Sequence, residues 1–225
     1  MLKILIVDDH PVVRSGLAQM LTAGFPSASV RESGNAAEAL ERIWNERWDV
    51  VIVDISLPGK SGLDLLKEIK TECPSLPVLI LSMHTEDQFA VRALRNGAAG
   101  YLTKETASQE LLMAVQKVLD GGKYIRPSLA EKLVSHLGYD SQKSPHETLS
   151  DREFQVLRLI AAGRTSKEIA SELCLSIKTI STYRSRILDK MQMRNNSELM
   201  RYALQNHLLT DAGTIRPNSS STVSP

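Results

Sequence analysis

The chain has 225 residues, room for one large domain or two small ones at roughly 150 residues each. Its 42% hydrophobic and 24% charged content sits at globular averages and excludes a disordered or fibrous chain. The apolar runs Ile4–Val7, Val50–Val53 and Val78–Leu81 fall far short of the ~20 residues that span a bilayer. No small-residue cleavage site follows the first run, so no secretory signal is expected, and Cys73 and Cys174 lie too far apart for a CxxC metal or redox motif. Membrane, secreted and zinc-ribbon classes are thereby excluded, and the sparse cysteines fit a reducing cytosol. The net charge of +1 is a sum of unlike halves: residues 1–120 carry 12 Lys+Arg against 16 Asp+Glu, residues 121–225 carry 15 against 10. That split predicts two domains with different partners, the basic one suited to a polyanion.

In chain order, short runs rich in Ile and Val fall at Lys3–Asp8, Ser29–Ser33, Val50–Ile55, Val78–Ser82 and Gly100–Thr103. Between them apolar residues recur at helical spacing, beginning with Val12/Val13/Leu17/Met20/Leu21 and ending with Leu111/Leu112/Val115/Val118/Leu119. Pro11 sits in the first turn of the first helix and Gly97 closes the fourth. Five strands alternating with five helices specify an α/β domain with a parallel sheet covered on both faces, over residues 1–120. Residues 121–147 read as a linker with a short helix expected over Pro127–Leu137. A compact all-α unit follows over 148–209. Ser150 and Glu153 form the capping box of a helix that Gly163 ends, and further helices are expected at about Ser166–Leu173, Ser176–Met191 and Ser197–Asn206. The tail, 210–225, is expected to be disordered.

In an open α/β sheet, ligands collect outside the carboxyl ends of the strands. Asp8 and Asp9 end the first strand, Asp54 the third and Ser82 the fourth, with Lys104 just past the fifth. Carboxylates crowded there repel one another, and a hard divalent cation relieves the repulsion. A carboxylate beside such a cation, a Lys and a hydroxyl can attack phosphorus and form an aspartyl-phosphate. His10, at the start of a helix before Pro11, reads as a turn or capping residue in preference to a metal ligand.

Asp8-Asp9-His10-Pro11, Asp54-Ile-Ser-Leu-Pro58-Gly59, Leu81-Ser82 and Gly100-Tyr101-Leu-Thr-Lys104 together resemble the receiver domain of two-component response regulators. The resemblance implies a five-stranded sheet in the flavodoxin-like order 2-1-3-4-5, with Asp54 accepting phosphate from a partner histidine kinase. It implies Mg²⁺ held by Asp9, Asp54 and the backbone carbonyl of Ser56, with Asp8 assisting through water. Lys104 would pair with the phosphoryl group, and Ser82 with Tyr101 would form a hydroxyl–aromatic switch. Met83 is bulkier than the residue common at its place in this family, so it is expected to shield the phosphoryl group from water.

In the second domain, 100° per residue places Ile177, Ile180, Arg184, Ile187, Leu188 and Met191 on one arc of a helix. Lys178, Thr182, Ser185, Arg186 and Asp189 lie opposite, with Ser181 on the rim. A three- to four-residue turn through Cys174-Leu175-Ser176 joins it to the helix before, the pattern of a helix-turn-helix. Leu149–Leu157, Gly163–Ala170 and Ser176–Met191 are similar to the LuxR-type DNA-binding domain. With the receiver, this resembles the NarL/FixJ class over nearly the whole chain. By that resemblance Ser181, Thr182 and Ser185 face bases, while Lys178, Thr179, Tyr183 and Arg186 hold the backbone. The last helix serves as the contact of a homodimer on paired half-sites of double-stranded DNA.

The resulting expectation is a cytoplasmic, phosphorylation-controlled transcription factor and not an enzyme. Its unphosphorylated receiver would mask the recognition helix or disfavour the dimer, and phosphorylation would draw Ser82 to the phosphate and Tyr101 inward. The alternative is an adaptor whose receiver controls a protein partner. A flavodoxin-like redox domain is disfavoured by two aspartates where a flavin phosphate wants hydroxyls and N–H groups. An aspartate-nucleophile phosphatase wants a second acid two residues after Asp54, where Ser56 stands.

Overall fold

The computed structural model describes residues 1–83, 87–126, 129, 144–206 and 208–209. Five parallel strands, β1 (Lys3–Val7), β2 (Ser29–Ser33), β3 (Val50–Asp54), β4 (Val78–Ser82) and β5 (Gly100–Thr103), form one sheet in the order β2-β1-β3-β4-β5. In register, Ile4 lies beside Val50, Val51 beside Val78 and Leu79 beside Gly100. β3, β4 and β5 are buried along their whole length, as the unbroken apolar runs require.

Alternate strand residues feed two apolar layers. Ile4, Ile6, Val50, Ile52, Leu79 and Leu81 pack under α1 (Pro11–Gly24) and α5 (Lys104–Leu119). Leu5, Val7, Val51, Val53, Val78 and Ile80 pack under α2 (Ala36–Asn45), α3 (Gly62–Glu72) and α4 (Asp87–Arg95). Asn35, Ser61 and Thr103 cap α2, α3 and α5 with side-chain oxygens that accept from the third helical N–H. Gly62 is required at its place: a Cβ there would stand 2.0 Å from the backbone oxygen of Asp54.

The second unit opens on a 3₁₀ turn, Pro145–Thr148, followed by α6 (Asp151–Ala161), α7 (Ser166–Glu172), α8 (Ile177–Met191) and α9 (Asn196–Gln205). Ser150 and Thr165 both complete capping boxes, with Glu153 and Glu168. Cys174, in the turn between α7 and α8, takes a left-handed φ of 51°, a conformation usually left to glycine. The helix expected over Pro127–Leu137 and the tail 210–225 fall, apart from Leu129, outside the described residues.

The two units are packed together. Arg92 of α4 donates to the backbone oxygens of His146 (2.6 Å) and Leu149 (2.9 Å) and pairs with Asp151 at 3.2 Å. Lys67 of α3 meets the other oxygen of Asp151 at 2.7 Å. Phe89 of α4 sets its ring edge against Phe154 of α6, centroids 5.3 Å apart, while the Arg92 guanidinium covers Phe154 at 4.2 Å. Arg152 donates to the backbone oxygens of Gly59 (2.9 Å) and Leu57 (3.3 Å), in the loop after β3. One continuous apolar layer therefore runs from the sheet into α6.

Candidate functional site

The carboxyl ends of β1 and β3 bring Asp8 and Asp54 together, both fully buried. Lys104, the first residue of α5, reaches from the end of β5 past β4 so that its Nζ lies 2.6 Å from Asp8 Oδ2 and 2.9 Å from Asp54 Oδ2. The Thr103 cap fixes where that helix begins and hence where Lys104 stands. Arg14 of α1 donates to the backbone oxygen of Asp8 at 2.7 Å and pairs with Glu32 at 3.2 Å, bracing the end of β1.

One ammonium faces a crowd of carboxylates, and the electrostatics follow. Burial pushes the Asp54 carboxyl above its ordinary value, with Lys104 pulling it down and Asp8 adding to the rise. Burial works against the Lys104 charge, yet the two carboxylates, Asp54 foremost, outweigh it and hold the ammonium above its usual range. The Asp54 shift is thus chiefly a burial effect, while the Lys104 shift reports the two carboxylates beside it. Asp54 Oδ1 is buried without a hydrogen-bond partner. One ligand atom each from Asp8, Asp9, His10 and Asp54 lies within 4.8 Å of the others. An orphaned carboxylate oxygen and an oxygen-rich donor set fit a divalent cation.

Of the other expected receiver residues, Ser82 is buried at the end of β4 and pairs in register with Thr103. Ser56 sits half-buried in the turn after β3. Tyr101 of β5 is 5% exposed and belongs to the apolar layer that continues into α6. Met83 stands out at 60% exposure. His10 occupies the N-cap of α1, but its side chain makes no capping bond. Its Nδ1 instead lies 2.9 Å from Asp9 Oδ1 and 3.3 Å from Asp8 Oδ1.

On α8, Lys178, Ser181, Thr182, Ser185 and Arg186 are exposed, giving a polar, basic face. Thr179 and Tyr183 are half-buried: Thr179 is tied to Ser176 at 2.7 Å, and Tyr183 packs on the core. Ile177, expected on the apolar arc, is 52% exposed. Ile180, Ile187 and Met191 are buried as expected, and Arg184 bonds Asn196 at 2.6 Å. Met200 and Leu204 of α9 reach the surface.

The junction residues Arg92, Asp151 and Arg152 escaped the sequence reading. Charges in the last turn of one helix (Arg92) and at the start of a capped one (Asp151, Arg152) look like solvated faces, and only partners 50 or more residues away distinguish them.

Residues 4–116 match the family described as response regulator receiver domain, and residues 147–203 match bacterial regulatory proteins of the luxR family. The transcriptional activator protein ExaE of Pseudomonas putida is 39% identical over 95% of this chain and 98% of its own length. The oxygen regulatory protein NreC of Staphylococcus carnosus is 37% identical over 92% and 99%. Among solved structures, the RcsB response regulator of Salmonella typhimurium superposes with a TM-score of 0.58 at 28% identity, covering 91% of this chain and all of that one. RcsB of Salmonella enterica serovar Typhimurium bound to a promoter in the presence of a phosphomimetic gives 0.56 at 29% identity, covering 89% and 97%. The relatives named are regulators, ExaE a transcriptional activator, and no described helix is long and apolar enough to cross a membrane. With the five-stranded order, the acidic pocket and the helix-turn-helix on one chain, the protein belongs to the NarL/FixJ class of two-component response regulators, a receiver domain joined to a LuxR-family DNA-binding domain.

Proposed function

We propose that Asp54 is the phosphoacceptor of a cytoplasmic transcription factor, with the receiver at about 1–120, the DNA-binding domain at about 148–209 and no enzymatic turnover of its own. The observation that carries this is Asp54 itself: Oδ2 is held by Lys104, and Oδ1, buried and unpartnered, keeps its lone pairs for attack. Oδ1 forms the bond to phosphorus while the bond from phosphorus to the donor, a kinase histidine or a small acyl phosphate, breaks with its electron pair. Lys104 then pairs with a phosphoryl oxygen and the Ser82 hydroxyl donates to another. Asp9, Asp54 and the Ser56 carbonyl, with Asp8 behind them, would hold Mg²⁺, which when bound supplies positive charge against the incoming phosphoryl oxygens.

The DNA-binding role rests on the exposed face of α8, where Ser181, Thr182 and Ser185 would read bases and Lys178 and Arg186 would reach phosphates. Thr179 and Tyr183 would contribute at the rim. Because that face is open while α6 is clamped, control would run through the arrangement of the domains and the pairing of α9 helices, with Met200 and Leu204 available to a second copy. Capture of Ser82 by the phosphoryl group would shift the segment from β4 into α4, and α4 carries Phe89 and Arg92, which hold α6.

Incubation with acetyl phosphate and Mg²⁺, followed by phosphate-affinity electrophoresis, tests this. Wild type should shift and Asp54→Ala should not, and DNA affinity measured by anisotropy should rise only for the shifted form. Equal labelling of Asp54→Ala would refute the assignment.

A further inference from the structure

Asp54 is fully buried, so a phosphoryl donor reaches its unpartnered Oδ1 only when part of the surrounding wall gives way. The loop after β3 follows Asp54 directly and forms one side of that wall. It is closed at its base, where the Gly62 amide donates to Ile55 O at 2.9 Å, and Ile55 and Leu57 are buried within it. Ser56, between them, turns its amide to the Asp54 carboxylate and favours the charged form. The carbonyls of Leu57 and Gly59 accept from Arg152 at 3.3 and 2.9 Å, and among the described residues Arg152 is the one donor that either meets.

The planar guanidinium bridges two carbonyls two residues apart and so holds the loop in one shape. Arg152 belongs to α6, in the other domain, and is 3% exposed with its Nε unpartnered. Its hydrogen-bond partners among the described residues, Gln155 and the two carbonyls, are all uncharged. A buried guanidinium without a paired counter-charge is held against its own desolvation, and burial pushes its pKa down. The grip is therefore specific in geometry and released into water at little net cost.

We propose that Arg152 is a positioning residue through which the DNA-binding domain restrains the phosphoacceptor loop, slowing phosphoryl acceptance at Asp54 while the domains are packed. Arg152 does not touch Asp54; it acts through residues 56–59. Withdrawal of α6 takes the donor from both carbonyls, and the loop then parts from the strand end more readily. By linkage, a phosphoryl group seated against Ser56 weakens the same two bonds and loosens α6. The effect on phosphorylation rests on Asp54 being the phosphoacceptor; the hold on the loop does not.

Labelling rates with acetyl phosphate and Mg²⁺, on the full chain of wild type, Arg152→Gln and Arg152→Lys, test this together with hydrogen exchange of the loop amides. Arg152→Gln should label about 5- to 10-fold faster, the equivalent of one net hydrogen bond. Arg152→Lys, which keeps a donor for one carbonyl, should fall between. The Lys60 and Gly62 amides should exchange faster in Arg152→Gln, while the Glu168 amide in the cap of α7 stays unchanged. Small-angle scattering of Arg152→Gln should match wild type, since Arg92 and Phe89 still hold the junction. In wild type, where no substitution disturbs folding, phosphorylation itself should speed exchange at Lys60 and Gly62. Labelling of Arg152→Gln at the wild-type rate or slower overturns the proposal. So does acceleration confined to variants whose scattering profile expands, which would assign the restraint to domain packing at large. If no chain is labelled, the phosphoacceptor reading fails, while exchange of the loop amides still decides whether Arg152 holds the loop.

Discussion

Arg92 is the guanidinium on which the domain junction turns, and Arg92→Met isolates its charge while keeping an aliphatic stem over Phe154. The substitution removes hydrogen bonds to the backbone oxygens of His146 and Leu149 and the ion pair to Asp151. Hydrogen bonds to a charged group contribute about 1.5–3 kcal/mol each, for a gross loss of ~3–6 kcal/mol. Burial depresses the Arg92 pKa, the mark of a desolvation cost that the variant no longer carries, and Asp151 keeps Lys67 as a partner. A net loss of ~3 kcal/mol from the packed arrangement shifts the balance towards separated domains by about 150-fold. Small-angle scattering of the unphosphorylated protein should show an increased radius of gyration. Fluorescence anisotropy should show tighter DNA binding without phosphorylation. A scattering profile superimposable on wild type, with unchanged DNA affinity, refutes the reasoning that this contact holds the domains together.

Four further outcomes are expected. Because burial and Asp8 hold the Asp54 pKa above 3.8, the fold disfavours its ionised form, and stability is lost as pH rises through the folded value. Asp54→Asn should therefore raise Tm at pH 7 in chelator, by about 2–4 °C for each ~1 kcal/mol relieved, and a lower Tm by scanning calorimetry contradicts this. Glu153 behaves oppositely: burial raises its pKa, but Lys190 and the Ser150 amide outweigh it and hold it below 4.5, so its stabilisation is present above that value and lost as pH falls through the folded one. Glu153→Gln should flatten the acid limb of the Tm–pH curve between about pH 5 and 3, and an unaltered slope argues against the pair. Met83→Gly should shorten the lifetime of the aspartyl-phosphate severalfold in a decay assay, since the exposed thioether no longer screens the pocket; a wild-type half-life of seconds would contradict that shielding. Lys178→Ala should weaken binding on all DNA sequences alike and lower the salt slope by about one, whereas an altered base preference would reassign its role.

The sheet and its rim were legible because periodicity and strand ends are local properties. Unbroken runs such as Val50–Val53 announced two-sided burial, and Asp8, Asp54 and Lys104 met because parallel strands deliver their carboxyl ends to one edge. The capping box at Ser150 was equally local. What stayed hidden depends on separations no local pattern records. Asp151 finds Lys67, and Arg152 finds Gly59, across more than 80 residues of chain. Ile177 shows that a helical wheel fixes direction around the axis but not whether a neighbour stands there: it lies on the apolar arc yet is 52% exposed. His10 was read from its position before Pro11, where a cap is the common use, and its ring went to the carboxylates instead.

Gly62 ties these scales together. With no side chain there, the first turn of α3 lies directly on the carbonyl of Asp54, and its amide bonds Ile55 O at 2.9 Å. Further along the same helix Lys67 grips Asp151. Helix and strand are thus fused at one end like a strut welded to a beam. One helix therefore touches both the strand that carries Asp54 and, through Lys67, the first residue of α6.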